Sequence, residues 1–242
     1  MKSIGIYHWT YDNMSAVEAS VASFREHNPD VPYFLACDGG ADFYDLCKRY
    51  NVEYLHSQYR IGYPSPHWGH DKFKVAHFLK RMYLACVSMN TTHFVISEDD
   101  VICLNEIQFD ESWELAAYDI FGGNYFTKEL LDACEEHSGV KPNRDCYGAG
   151  AGAIFKTSTF IEYFWDVIEF YDKNFERFHQ NQPQLGWNDC FLHIYYYLAG
   201  KEYSVNPRLY NIFPENPSID LNSMRNDYDM VHNYKNFYEN RK

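Results

Sequence analysis

His93 to Val101 reads HFVISEDDV. Its first five residues, His93 to Ser97, form an apolar run of a length that suits a buried β-strand. The run passes without a break into Glu98, Asp99 and Asp100. Three adjacent carboxylates repel one another and destabilise a fold unless something offsets them, and a divalent cation does so. In an extended backbone Glu98 and Asp100 point to one face and Asp99 to the other. Oxygen ligands at the carboxyl end of a strand suit Mg²⁺ or Mn²⁺, ions that keep waters and take substrate phosphate oxygens as further ligands. The alternative is a solvated acidic turn.

Upstream of this stretch the pattern alternates between strand and helix. Ser3 to Trp9 reads as a strand. Met14, Val17, Val21 and Phe24 recur at helical spacing, with Ser15 and Glu18 as a capping box and Asn28-Pro29 as the stop. Val31 to Cys37 reads as a buried strand closed by an Asp38-Gly39-Gly40 turn. A helix over 41–50, a strand over 52–56, a loop over 57–70 and a helix over 71–89 lead into the acidic strand. Such a β-α-β-α-β series predicts an α/β fold, with a mostly parallel sheet and helices on both faces. In such sheets ligands bind beyond the carboxyl ends of the strands.

Downstream the order is less regular. A mixed segment covers 102–126 and a helix 127–137. Tyr147 to Phe155 (YGAGAGAIF) reads as a strand of small residues, Gly150 among them. Helices follow over 158–178 and 188–198, and then a loop-like tail runs from Arg208 to a last segment at Val231 to Tyr238. With no repeat and no linker, the expectation is one domain over 1–242, made of a nucleotide-binding half (1–101) and an acceptor and catalytic half (102–242).

The chain has 242 residues, 46% hydrophobic and 23% charged, which is ordinary globular composition. Its formal charge is −13, from 21 Lys+Arg and 34 Asp+Glu, so its field repels nucleic acid and anionic membranes. A phosphate ligand would need a cation or a local basic cluster to reverse that sign. Seven cysteines without a C-x-x-C pair point to free thiols in a reducing compartment, and with neither a signal segment nor a membrane span the expectation is a soluble, cytoplasmic chain.

The stretch FVISEDDV resembles the DxD element of nucleotide-sugar-dependent glycosyltransferases of the GT-A fold, in the Glu-Asp-Asp variant. The chain is also loosely similar to the small glycosyltransferases encoded by large algal DNA viruses. The likeness follows most of the chain in order of elements and is specific at a few short motifs. It implies Asp100 as the direct ligand of Mn²⁺ or Mg²⁺, with Glu98 and Asp99 facing the donor's ribose or the metal's waters. It also implies that Val231-His232-Asn233-Tyr234-Lys235 supplies a late metal ligand, His232, and a lysine on the diphosphate, Lys235. An acid at the position of Asp38 would read the imide edge of uracil, although Asp-Gly also simply makes turns. Tyr7, with His8, Trp9 and Thr10 at the end of the first strand, would lie beside the base. Lys72 or Lys74 would hold the diphosphate as a point charge, or be an ordinary exposed helical lysine. Gly150 and its small neighbours would let the transferred sugar approach, or would only pack a helix.

Trp187-Asn188-Asp189 opens a helix where inverting members carry a base, so the resemblance implies that Asp189 deprotonates the acceptor hydroxyl. Helix capping is the alternative. Retaining members of the blood-group type have Trp-x-Asp-Glu here, and Cys190 in place of the second acid favours inversion. The expected function is transfer of a sugar from a nucleoside diphosphate donor, UDP above all, to a hydroxyl of a glycan acceptor. A retaining transferase and a non-catalytic nucleotide-sugar or glycan-binding domain are the rivals.

Overall fold

The computed structural model describes residues 3–58, 72–118, 127–142, 150–180, 187–201, 203–212 and 219–235, and the side chains of 178–180 and 187–191 lie outside that description. The first hundred residues build β1 (Ile4–Thr10), α1 (Met14–His27), β2 (Tyr33–Cys37), α2 (Tyr44–Arg49), β3 (Glu53–His56), α3 (Lys72–Met89) and β4 (His93–Ser97). The four strands are parallel, in the order β3-β2-β1-β4. Every residue of β2 and β4 is buried, which is why both read as unbroken apolar runs rather than alternating ones. Helix α1 starts at Asn13, whose side chain accepts from the Ala16 amide. Ser15, expected as the cap, instead donates to Asn13 Oδ1 at 3.2 Å. An Asn one step before the helix satisfies the same free amides, so the start moves by two residues.

The second half widens this sheet. β7 (Ile154–Lys156) lies antiparallel to β4, β6 (Leu115–Ala117) antiparallel to β7, and β8 (Tyr203–Val205) parallel to β6. The result is a seven-stranded mixed sheet, β3-β2-β1-β4-β7-β6-β8. Of the strand expected over 147–155, residues 147–149 lie outside the described residues. Gly150 to Ala153 form a turn, not a ladder, and Gly152, in the left-handed region at φ +88°, donates to Ile96 O at 2.7 Å. The run of small residues thus ends as a fold of chain pressed against the end of β4.

The long helix expected over 158–178 is three: α5 (Thr157–Glu162), α6 (Phe164–Lys173) and α7 (Phe175–Gln180). The breaks fall at Tyr163 and Asn174, where neither Gly nor Pro marks them. Helices α4 (Lys128–Ser138) and α8 (Trp187–Leu198) complete this side. The tail is structured too. β9 (Leu209–Asn211), α9 (Leu221–Met224) and β10 (Met230–His232) return the chain to β5 (Ile102–Cys103), making a second sheet of order β5-β10-β9.

The two faces of the large sheet carry separate cores. Tyr7, Phe94 and Ile96 pack with α3, α4, α6 and α8. Ile4, Ile6, Leu35 and Val95 pack with α1 and α2. A third cluster, around Ile102, Leu104, Ile212, Met224 and Val231, holds the small sheet together. Among the described residues no helix is long and apolar enough to cross a membrane.

Candidate functional site

At the end of β4 the chain turns instead of continuing as a strand. The Val101 amide donates to Glu98 O at 3.1 Å, closing a turn over 98–101. The extended geometry expected for the three acids is therefore replaced by a turn, which brings them round the end of the sheet. Two buried hydroxyls fix its first peptide: Ser20 Oγ and Ser97 Oγ both donate to Glu98 O, at 3.2 Å and 3.3 Å. Glu98 and Asp99 are half-buried, and Asp100 is buried.

What meets this turn is set by the small sheet. β5 follows the acids directly and pairs antiparallel with β10, Ile102 opposite Val231 and Cys103 opposite Met230. One step further along that register, His232 comes level with the acid turn. The Tyr234 amide then donates to Asp100 O at 3.0 Å. His232 Nε2 stands 3.6 Å from Asp100 Oδ1, and Lys235 Nζ stands 3.7 Å from Asp100 Oδ2. Three of the residues singled out from sequence thus converge, although the loop-like tail expected there offered no means of bringing them together.

Asp100 Oδ1 and His232 Nδ1 are both buried and make no hydrogen bond. Buried polar atoms are ordinarily satisfied, so an acceptor left over beside an imidazole fits a site that completes itself with a ligand. The carboxylate oxygen suits Mn²⁺ or Mg²⁺, and the ring nitrogen beside it suits Mn²⁺ of the two. Among the described residues no group of three or more His, Cys, Asp or Glu gathers as a metal cluster. A cation here would take two protein ligands and fill its sphere with water and phosphate oxygens, as Mg²⁺-class ions commonly do.

Beside the turn, at the carboxyl ends of β1 and β4, lies a nearly closed crevice without room for a water molecule. It is lined by Tyr7, Trp9, Phe78, Ile96, Glu98, Gly150 and Leu192. The connections after β1 and before β4 run to opposite sides of this point, so the crevice sits where the strand order reverses, the usual ligand position in such sheets. Tyr7, Glu98 and Gly150 meet here. The Tyr7 hydroxyl is buried without a hydrogen bond. Burial pushes its pKa well above the ordinary phenol value, with Arg81 pulling the other way.

Asp38 has company that sequence reasoning missed. Arg81, on α3, pairs through Nη1 with Asp38 Oδ1, both side chains being almost wholly buried. Trp9 Nε1 donates to Asp38 Oδ2 at 2.7 Å, and the indole meets Phe78 edge-on at 5.3 Å. Arg81 Nε and Nη2 make no hydrogen bond. The signal for Arg81 was present: it lies on the apolar stripe of α3 that includes Phe78, Met82 and Ala85, three of that helix's buried residues. The Gly39-Gly40 turn beneath Asp38 is tight; a Cβ on Gly40 would lie 1.9 Å from Tyr11 O.

Lys72 pairs with Asp172 and lies 5.1 Å from the Phe175 ring centroid, so it serves the α6–α7 side of the molecule. Lys74 is half-buried in the first turn of α3. His8 faces the opposite side of the sheet from Tyr7, 2.8 Å from the Tyr33 hydroxyl, and burial pulls its pKa down to about 3. Thr10 is buried at the end of β1. Trp187 and Asp189 fall in the first turn of α8, and their side chains lie outside the described residues.

No protein-family model matches this chain, and no curated protein matches it in sequence. Solved structures do. The galactosyltransferase LgtC in complex with donor and acceptor sugar analogues aligns at a TM-score of 0.55 and 12% identity, over 94% of this chain and 86% of that one. A Gln-to-Glu active-site mutant of LgtC aligns at a TM-score of 0.56, with the same identity and coverage. The seven-stranded mixed sheet with its flanking helices is the GT-A fold of these neighbours.

Proposed function

We propose that the chain is a metal-dependent glycosyltransferase that moves a sugar from a nucleoside diphosphate donor, UDP-linked, to a hydroxyl of a glycan acceptor. The observation that carries this reading is the convergence of Asp100, His232 and Lys235 at the carboxyl end of β4. A divalent cation, Mn²⁺ or Mg²⁺, held by Asp100 and His232 would supply Lewis acidity to the leaving diphosphate. Lys235, exposed at its tip, donates to the same phosphate oxygens and helps reverse the negative field of a chain of formal charge −13. Glu98 and Asp99 face the ribose or the waters of the cation, and Lys74 adds positive charge from the first turn of α3.

The crevice opens to take the donor. Tyr7 and Trp9 wall the nucleoside, and Asp38, sealed behind them with its carboxylate on Arg81 and the Trp9 indole, supports the nucleobase end through Trp9. Gly150 leaves room for the sugar. Asp189, at the start of α8, takes the proton from the acceptor hydroxyl as that oxygen attacks the anomeric carbon and the bond to the diphosphate breaks. One such in-line displacement inverts the anomeric configuration. Residues 1–242 act as one catalytic domain with its acceptor side in the second half. The five described cysteines, all free and buried, suit a reducing compartment such as the cytoplasm.

The test is incubation with UDP-sugars and glycan acceptors in Mn²⁺, with NMR of the new anomeric proton. Release of UDP with inversion is expected, and Asp189→Asn should abolish turnover while retaining UDP binding. Retained configuration would overturn the role given to Asp189, and absence of turnover with every UDP-sugar would overturn the reading.

A further inference from the structure

Three non-glycine residues among those described have positive φ: Asn51 at +51°, Asn90 at +48° and Asn233 at +64°. The first two directly follow helices. Asn51 donates its amide to Lys48 O after α2, and Asn90 to Cys86 O after α3, so both are ordinary left-handed helix ends. Asn233 follows no helix. It sits between His232 and Lys235, the two tail residues whose side chains approach Asp100.

A left-handed residue outside Gly costs conformational energy, and surrounding contacts must hold it there. Those contacts are visible. Asn233 Nδ2 donates to Asn211 Oδ1 at 2.6 Å. Asn211 is the residue paired with His232 in the parallel β9–β10 ladder, and the Ile212 amide donates to His232 O at 3.0 Å. The left-handed step then reverses the chain at once. The next amide, that of Tyr234, reaches Asp100 O, and Lys235 falls within 3.7 Å of Asp100 Oδ2. With Asn233 extended, the chain would continue along the strand direction, away from the acid turn.

We infer that Asn233, locked by Asn211, is a positioning residue that turns Lys235 back onto the phosphate side of the Asp100 site, while leaving His232, which precedes the turn, in place. This rests on the function proposed above and adds to it a residue that touches neither cation nor donor. Its consequence is specific. Loss of the turn should cost what loss of the lysine costs, and the two losses should not multiply.

The experiment is a double-mutant cycle read by calorimetry of UDP in Mn²⁺, with urea denaturation of each variant alongside. Lys235→Ala should weaken uptake about tenfold, the scale of one charge-assisted contact. Asn233→Ala should weaken it to a similar degree, and the double variant should bind within about twofold of Lys235→Ala alone. Asn233→Gly keeps the backbone conformation without the amide and should stay within about threefold of the parent. Should Asn233→Ala fail to fold, Asn211→Ala removes the lock with no backbone demand of its own and should likewise fail to multiply with Lys235→Ala. Losses that multiply, or an Asn233→Ala protein that binds as the parent does, overturn the inference while leaving the proposed function standing. Absence of Mn²⁺-linked uptake by the parent protein overturns both.

Discussion

The pair formed by Asp38 and Arg81 makes an unusually exacting demand on the fold. Both side chains are all but sealed from solvent, at 2% and 1% exposure. Around Arg81 stand the apolar residues of α3 and the buried Tyr7. Asp38→Asn keeps the shape and an acceptor for the Trp9 indole, but leaves the guanidinium without a counter-charge. Breaking a buried pair from one side costs about 3–5 kcal/mol. Unfolding entropy of about 2.1 cal/mol/K per residue, over 242 residues, is roughly 0.5 kcal/mol/K. The expected fall in Tm is therefore about 6–10 °C, with a matching loss in urea denaturation. Replacing both partners, Asp38→Asn with Arg81→Met, removes the stranded charge and should recover most of the loss, because a hydrophobic replacement of a buried pair is often near neutral. The assay is circular dichroism melting and urea titration of parent, single and double variants. A single variant within about 2 °C of the parent, or a double variant less stable than the single, would refute the reasoning.

Acid should destabilise the fold through two histidines. Burial brings His8 and His193 each down to about 3, so between about 6.5 and 3 the unfolded chain holds protons that the folded one does not, and stability falls as pH drops through that window. The loss approaches about 1.4 kcal/mol per pH unit for each histidine, and His193→Phe, which keeps a ring against Tyr203, should remove about half of this slope in urea titrations between pH 6.5 and 5. Two glycines should respond differently to alanine. Gly40→Ala meets the Tyr11 carbonyl oxygen and should cost about 3 kcal/mol or prevent folding, whereas Gly139→Ala, at φ +72° with nothing within 4 Å, should cost only about 1 kcal/mol. Equal losses in denaturation would contradict the tight turn beneath Asp38.

The parts of this fold that were legible in sequence are those set by local chemistry. β4 occupies the five residues, His93–Ser97, read from its apolar run, and α3 ends where its stripe ends, at Met89. The parts that were hidden depend on distant partners. β5 is two residues long and β9 and β10 three each, too short for any period, and they exist because each pairs with a segment far away in the chain. The Gly150–Ala153 turn read as strand because its amides bond Ile96 and its own start, which alternation of Gly and Ala cannot reveal. Asp100, His232 and Lys235 could be named from the resemblance to GT-A transferases, but their meeting follows from the β5–β10 register. Arg81 gave a local signal as an arginine on an apolar stripe, but its role shows only once Asp38 arrives beside it from the end of β2.

The most direct measurement is calorimetry of UDP binding to the parent protein and to Asp100→Ala, each in Mn²⁺ and in EDTA. Uptake that needs Mn²⁺ in the parent, and that weakens by at least about 100-fold in Asp100→Ala, is the expected result, since even outer partners of a metal ligand carry 10- to 100-fold. Uptake indifferent to EDTA, or Mn²⁺-linked uptake undiminished in Asp100→Ala, would contradict the clamp of Asp100 and His232 on a diphosphate-bound cation.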